Sequence, residues 1–472
     1  MDITKSERRF IIMIIVISAT VVILNQTLLL TAIPQIMEDL DIEFAQAQWL
    51  NTAFFLVNGI MIPVSAFFIN KFTTRRLFFV AMSIFIIGTL IAAVSTGYYV
   101  LLSGRIIQAI AAGIMMPLTQ VILLNLFPIS QRGRAMGLFG MVIGVAPAIG
   151  PVLGGYIVEL YNWSMLFWIV LPIALANLIL AFFTMRNVTT QTNPKFDMSS
   201  LLLSIFGFGS LLYGFSSAGT MGWFNVTVLG TLTLGAILVT IFVRRQFRLE
   251  SPMLQLSVLK NRAFLLSSLI AVVFFTSIIS GNNILPVFMQ NMMDFTPIES
   301  GLAILPGAFI MGLMMPIAGY IFDRYGIRLL TFIGSVMLLV TSVMMAFLDE
   351  TSSFWTITII YTLRLVSVAF AMMPLTTYAM NAISNRLIPD GTALNNTMRQ
   401  IGASLFTAIM ITIMTLIPIS IDGTDPSISA QVVGVNATFL FSGLLALIAL
   451  ILAFFLKELK DLPDPNEEET DK

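Results

Sequence analysis

The chain contains neither cysteine nor histidine among its 472 residues. The first absence excludes disulfides and thiolate metal sites. The second removes the usual metal ligand and the usual proton shuttle near neutral pH. No metal and no bound cofactor is expected, and nothing in the sequence suggests nucleic-acid binding. Charge is scarce as well: Asp, Glu, Lys and Arg make up 10% of the residues, against about 25% in an average soluble domain. With 58% hydrophobic residues and a mean hydropathy of +0.95, a water-soluble fold could not hide its apolar surface. A lipid bilayer is the solvent this composition fits. No cleavable leader is expected, because the first apolar run, Phe10 to Ile33, is long enough to span and lacks a small-residue cleavage site.

A spanning helix needs roughly 20 predominantly apolar residues. Fourteen such runs are present: 8–32, 46–70, 75–96, 98–126, 131–157, 164–185, 198–217, 222–245, 262–289, 297–321, 327–347, 353–383, 390–418 and 431–457. The seventh and eighth are separated only by the short Ser217–Gly222 link. Loop charges support the count independently. Lys5, Arg8 and Arg9 open the chain, and basic residues then occupy every second loop, from Lys71, Arg75 and Arg76 to Arg324, Arg328 and Arg386. The alternate loops hold acids alone, among them Asp39, Glu159, Asp294, Glu299 and Asp349. Of 24 basic residues only Arg105, Arg364 and Arg399 fall inside helices. The positive-inside rule then places both termini in the cytoplasm, which requires an even number of helices in an inner (cytoplasmic) membrane.

The stretch Ile114-Met-Met-Pro117-Leu-Thr119 recurs as Ala371-Met-Met-Pro374-Leu-Thr376, an offset of 257 residues (117 to 374). Arg105 has a counterpart in Arg364, and the loop starting at Asn70 resembles the one starting at Asp323. Such repeats indicate two homologous bundles with a site between them. Six helices leave about 70 residues of that offset over, enough for two more spans of ~20 residues. The expected architecture is an all-α membrane protein of fourteen helices arranged 6 + 2 + 6. Its parts are an N-terminal bundle (1–185), two extra helices with a linker (186–260), a C-terminal bundle (261–457) and a disordered acidic tail (458–472).

Motifs lie on these helices at fixed places. The fourth carries Arg105-Ile-Ile-Gln108-Ala109, an Arg-x-x-Gln pattern, and the fifth ends in Gly150-Pro151-x2-Gly154-Gly155. Gly319-Tyr-Ile-Phe-Asp323-Arg324-Tyr-Gly326-Ile-Arg328 is a full Gly-x3-Asp-Arg-x-Gly-x-Arg loop at the membrane surface, and Ala393 to Gly402 opens the thirteenth helix. Together these resemble the major facilitator superfamily, and within it the fourteen-spanner drug:proton antiporters, over nearly the whole chain. The resemblance implies a monomeric efflux pump that exports small-molecule drugs or dyes by rocking bundles in exchange for protons, and not an enzyme. An importer or solute symporter on the same scaffold is the alternative. A membrane enzyme would need an intramembrane acid/base or nucleophile cluster, which is missing.

Candidate residues follow from chemistry. Glycines 150, 154 and 155 permit close helix packing, and Pro151 permits a bend. The Asp323 carboxylate is expected to pair with a basic partner from a neighbouring loop, a gate in which Arg324 and Arg328 also stand. In the first repeat Asn70 replaces the acid, so that latch is expected to be asymmetric. Arg105 and Arg364 inside helices are functional candidates by default. With Asn25, Gln26, Asn58, Gln108, Asn282 and Asn283 they form the expected substrate pathway. The branch carries an acid in its first helix where this chain has Asn25, and no Asp or Glu lies near the middle of a helix. Proton coupling is therefore expected at an edge carboxylate, Asp39, Glu159, Asp294 or Glu299, with Arg105 near it.

Overall fold

The structure, a computed structural model, describes residues 4–192, 194–423 and 425–458. The expected acidic tail therefore lies outside the described residues except for Glu458. Lipid offers no hydrogen bonds to an open backbone, so apolar runs of this length must fold as helices. Fourteen helices are long and apolar enough to cross a membrane, and no strand occurs among the described residues. The first six spans are α1 (Lys5–Leu28), α3 (Phe44–Lys71), α4 (Thr74–Ala93), α5 (Tyr98–Leu126), α6 (Arg132–Leu160) and α7 (Met165–Thr184), with a short α2 (Ile33–Leu40) after α1. Two more follow, α8 (Met198–Met221) and α9 (Val226–Gln246). The last six are α10 (Arg262–Met292), α11 (Pro297–Tyr325), α12 (Ile327–Met345), α13 (Phe354–Asn381), α14 (Ile388–Asp422) and α15 (Ile428–Ala453).

Polar residues at the ends set these limits. Thr4 with Glu7 and Thr296 with Glu299 form reciprocal capping boxes at the starts of α1 and α11. Ser353, Ser427 and Asn261 cap α13, α15 and α10. One expected boundary moves. The Ser217–Gly222 link is helical through Met221, and the turn is made by Gly222, whose φ of 84 breaks the helix, and by Asn225, which caps α9.

The halves meet along two seams. On one, α6 runs against α11; on the other, α3 faces α14. The inserted helix α8 packs on both α3 and α14 and carries α9 on its outside. Only 17% of the most apolar window of α9 is buried, against 78% for α5, so α9 faces lipid while α5 is enclosed. Asp197 ties the inserted pair together: it caps α8 and forms an ion pair with Arg245 at the end of α9, 2.7 Å away. The Arg245 guanidinium holds the Asp197 carboxyl well below the usual carboxylate range. Helix ends on one side of the bundle carry the basic loops and those on the other the acidic ones; these are called the basic and acidic sides below.

Candidate functional site between the two halves

The α6–α11 seam is built from missing side chains. Gly133, Gly137, Gly140 and Gly144 recur at spacings of four, three and four, so they share one face of α6. A Cβ at Gly137 would lie 2.7 Å from the Met315 carbonyl and the Pro316 Cα, and one at Gly144 2.9 Å from the Gly312 Cα. At the basic end Gly133 and Gly319 approach backbone to backbone. Beyond Gly144 the helices part, and an apolar cleft of about 390 Å³ opens between Ile149, Val152 and Leu153 of α6 and Leu305, Pro306 and Phe309 of α11. Of the glycines singled out in the sequence, two do allow a close helix approach, but inside their own half. Gly150 and Gly154 pack on Thr27, Leu28 and Thr31, within their own half, and Gly155 meets nothing within 4 Å. Pro151 stands inside α6, which continues through it to Leu160.

Among the described residues, the side-chain hydrogen bonds that join the first six spans to the last six all lie towards the basic side. Asp323, at the end of α11, accepts from the backbone N–H groups of Gly133 and Arg134 in the first turn of α6, at 2.8 and 3.0 Å. The expected basic side-chain partner is thus replaced by a helix N-terminus, whose unsatisfied amides and dipole attract a carboxylate. The Arg134 guanidinium instead lies over the Tyr320 ring. Arg324 stacks on Tyr325, and Arg328 donates to the Leu456 carbonyl, so neither crosses between halves. The second seam mirrors the first with the acid moved. Asn70, at the end of α3, donates to the Asp390 carboxylate in the first turn of α14 at 3.0 Å, and the Gln255 backbone N–H donates to its other oxygen at 2.8 Å. Arg132 adds bonds to Asn381 and Asn385, and Asn396 donates to Gln120 at 3.1 Å.

Asp390 is 2% exposed and is the one buried carboxylate among the described residues. It was missed in the sequence because it begins a helix, where an acid after Pro389 reads as an ordinary start signal. The glycine face of α6 was legible from its spacing, but its partner helix was not.

Arg105, Arg364 and Arg399 are all buried, each over an aromatic ring: Phe54 at 4.3 Å, Phe439 at 5.7 Å and Phe275 at 5.4 Å. Arg105 donates to the Asn25 amide oxygen at 2.8 Å and to Gln108 at 3.0 Å, and Gln108 donates to Thr89. Asn25 therefore occupies the place of a counter-ion without being one. Arg364 donates to Ser342 and Ser442. Of the remaining pathway candidates, Gln26 and Asn58 are half-buried; Asn282 and Asn283 are exposed, the first accepting from the Tyr361 hydroxyl and the second donating to its own helix at Ile279. The edge acids lie apart from Arg105's partners. Asp39 accepts from Asn162 and Trp163, Glu299 caps α11, and Glu159 and Asp294 are exposed on the acidic side.

A family model described as Major Facilitator Superfamily matches residues 15–407. The chain is 47% identical over 453 residues to the uncharacterized MFS-type transporter YcnB of Bacillus subtilis (strain 168), covering 96% of each chain. It is 36% identical over 469 residues to the lincomycin resistance protein LmrB of the same organism, covering 97% of this chain and 98% of that one. Among solved structures it is similar to the proton:xylose symporter XylE, with a TM-score of 0.70 at 12% identity over the whole of both chains.

Proposed function

Because the chain belongs to the major facilitator superfamily, whose members are transporters and not enzymes, we propose that it is an exporter of amphipathic drugs or dyes. It works as a monomer by alternating access, taking up protons in exchange. The basic side is then cytoplasmic, in an inner membrane, with both termini inside. The observation that carries this reading is where the halves are joined: among the described residues their side-chain hydrogen bonds gather on the basic side, beside a polar cleft of about 600 Å³ that includes Arg132 and Asn385, while the acidic end of the α6–α11 seam has only an apolar groove. Contacts gathered on one side suit a carrier closed towards that side. Release of the Asp323 and Asp390 contacts, with α6 rocking on its glycine face, gives the opposite state. The moving bodies are residues 1–185 and 261–457, with 186–260 riding on the α3–α14 seam.

Export is favoured over import by the similarity to LmrB, whose name records drug resistance and which aligns over almost its whole length. The substrate pathway runs past Asn25, Gln26, Asn58, Gln108 and Arg105, and past Arg364, Asn282 and Asn283. The proton site lies among Asp39, Glu159, Asp294 and Glu299; Asp390 joins them because it is a buried acid at a contact that must break. Reconstitution of the full chain into liposomes tests the whole reading. Ethidium and lincomycin should move from the basic to the acidic side when the acidic side is more acid, and an uncoupler should stop them. Transport indifferent to the gradient removes proton exchange, and transport in the other direction removes export.

A further inference from the structure

Four arginines are buried, and two of them, Arg132 and Arg399, stand where the halves meet. Arg132 spends its Nε, Nη1 and Nη2 on the Leu124 carbonyl, Asn381 and Asn385. Arg105 is held by α1 and its own helix, and Arg364 by α12 and α15, each inside one half. Arg399 donates through Nη2 to the Asn396 amide oxygen, and the Asn396 amide nitrogen reaches across to Gln120 of α5 in the first half. Its guanidinium lies over Phe275 of α10. The side chain is 5% exposed, and its Nε and Nη1 are buried without an acceptor among the described residues. Asp390 does not serve as counter-charge. It lies nine positions earlier on the same helix, ~14 Å along the axis and half a turn around it, and its oxygens are taken by Asn70 and Gln255.

An arginine charge removed from water costs several kcal/mol unless an acceptor of opposite charge meets it. We propose that Arg399 binds the carboxylate of the transported molecule, so that the preferred substrates are amphipathic acids or zwitterions carrying an aromatic body. This rests on the exporter reading above and adds the charge class of its cargo. A planar guanidinium with two nitrogens unused matches a carboxylate in shape and charge, while Phe275 offers a flat apolar face beside it. Neutral ligands would satisfy the donors without compensating the charge. The placement also gives a direction. The Asn396–Gln120 bond closes over the site when the basic side is shut, and separation of the halves there uncovers it. The anionic group is captured from the basic side and loses its contact as the bond reforms, which is the difference in affinity between states that export requires.

The test uses the full chain in lipid nanodiscs, titrated with 1-pyrenebutyrate and with its uncharged amide, read by tryptophan-to-pyrene energy transfer. The wild-type chain should bind the carboxylate at least about tenfold more tightly than the amide, a difference of ~1.4 kcal/mol. Arg399→Gln should reduce that preference to under about twofold while leaving amide binding in place, and Arg399→Lys should keep part of it. Equal affinities in the wild type, or a preference that survives Arg399→Gln, overturns the assignment. Should Arg399→Gln not purify as a monodisperse protein, an unchanged preference in Arg399→Lys overturns it and a reduced one supports it. Absence of gradient-driven export of 1-pyrenebutyrate, lincomycin and ethidium alike from wild-type liposomes is a separate result: it would remove the exporter reading and leave the carboxylate preference standing.

Discussion

Arg105 is a membrane-buried charge met only by neutral groups, with its Nε and Nη2 left without an acceptor among the described residues. Its Nη1 meets the carbonyl-type oxygens of Asn25 and Gln108, and the Phe54 ring covers one face. Hydrogen bonds to charged groups contribute about 1.5–3 kcal/mol, so Asn25→Ala should lower stability by ~2 kcal/mol. A drop in melting temperature in detergent, followed by tryptophan fluorescence, checks it. Asn25→Asp should raise that temperature, because it places a carboxylate against an uncompensated cation. A second residue-scale expectation concerns Asp390. Asp390→Leu would leave the Asn70 amide and the Gln255 N–H unpaired in a buried place, at about 1–3 kcal/mol each, whereas Asp390→Asn keeps one acceptor and should cost less. Melting curves of the two variants separate these outcomes. Residue identities alone gave the three arginines and the missing acid at Asn25. They did not give Asp390, since an acid at a helix start is common and only its partners reveal that it is buried.

At the scale of elements, α6 and α11 form the closest contact between the halves, and glycine is what allows it. Gly137→Leu would drive a side chain into the backbone at Met315 and Pro316, where nothing can rotate away. The seam should open at its basic end and the population should shift away from the state seen here. The spacing 133, 137, 140, 144 could be read as a helix face in the sequence, yet the resemblance drew attention to Gly150 and Gly154, which pack on α1 instead. Periodicity tells which residues share a face but not which helix meets it. The inserted pair offers a pH test. Asp197 has its carboxyl depressed by Arg245, so its contribution is present above the unfolded carboxylate range near pH 4 and is lost only as pH falls through the lower folded value. The melting-temperature difference between wild type and Asp197→Asn should therefore stay constant from pH 8 down to about pH 5.

For the whole molecule, the absence of cysteine becomes an experimental advantage, since spin labels can be placed with no native thiol competing. Labels on cysteines introduced at Leu153 and Leu305, across the apolar cleft, should show a long distance in the state described here. Breaking the basic-side contacts, by Gly137→Leu or by Asn70→Asp, should add a shorter distance as the acidic side closes. In Asn70→Asp the cause is a second carboxylate set against Asp390. An unchanged distance distribution in both variants would mean that these contacts do not hold the halves in register.

Sequence by itself determined the solvent, the fourteen spans, the repeat and the sorting of charge by side. All of these follow from one-dimensional patterns: apolar length against bilayer thickness, and the cost of carrying Lys and Arg across a membrane. Only the tertiary structure decided which helices meet, that the halves are joined on the basic side, and that Arg399 stands at the seam with two of its nitrogens unpaired among the described residues. Those depend on contacts hundreds of residues apart, such as Asn70 with Asp390 and Gly133 with Asp323. Helical periodicity fixes a residue's face, but a partner is chosen by shape and charge in three dimensions, and no local pattern records it.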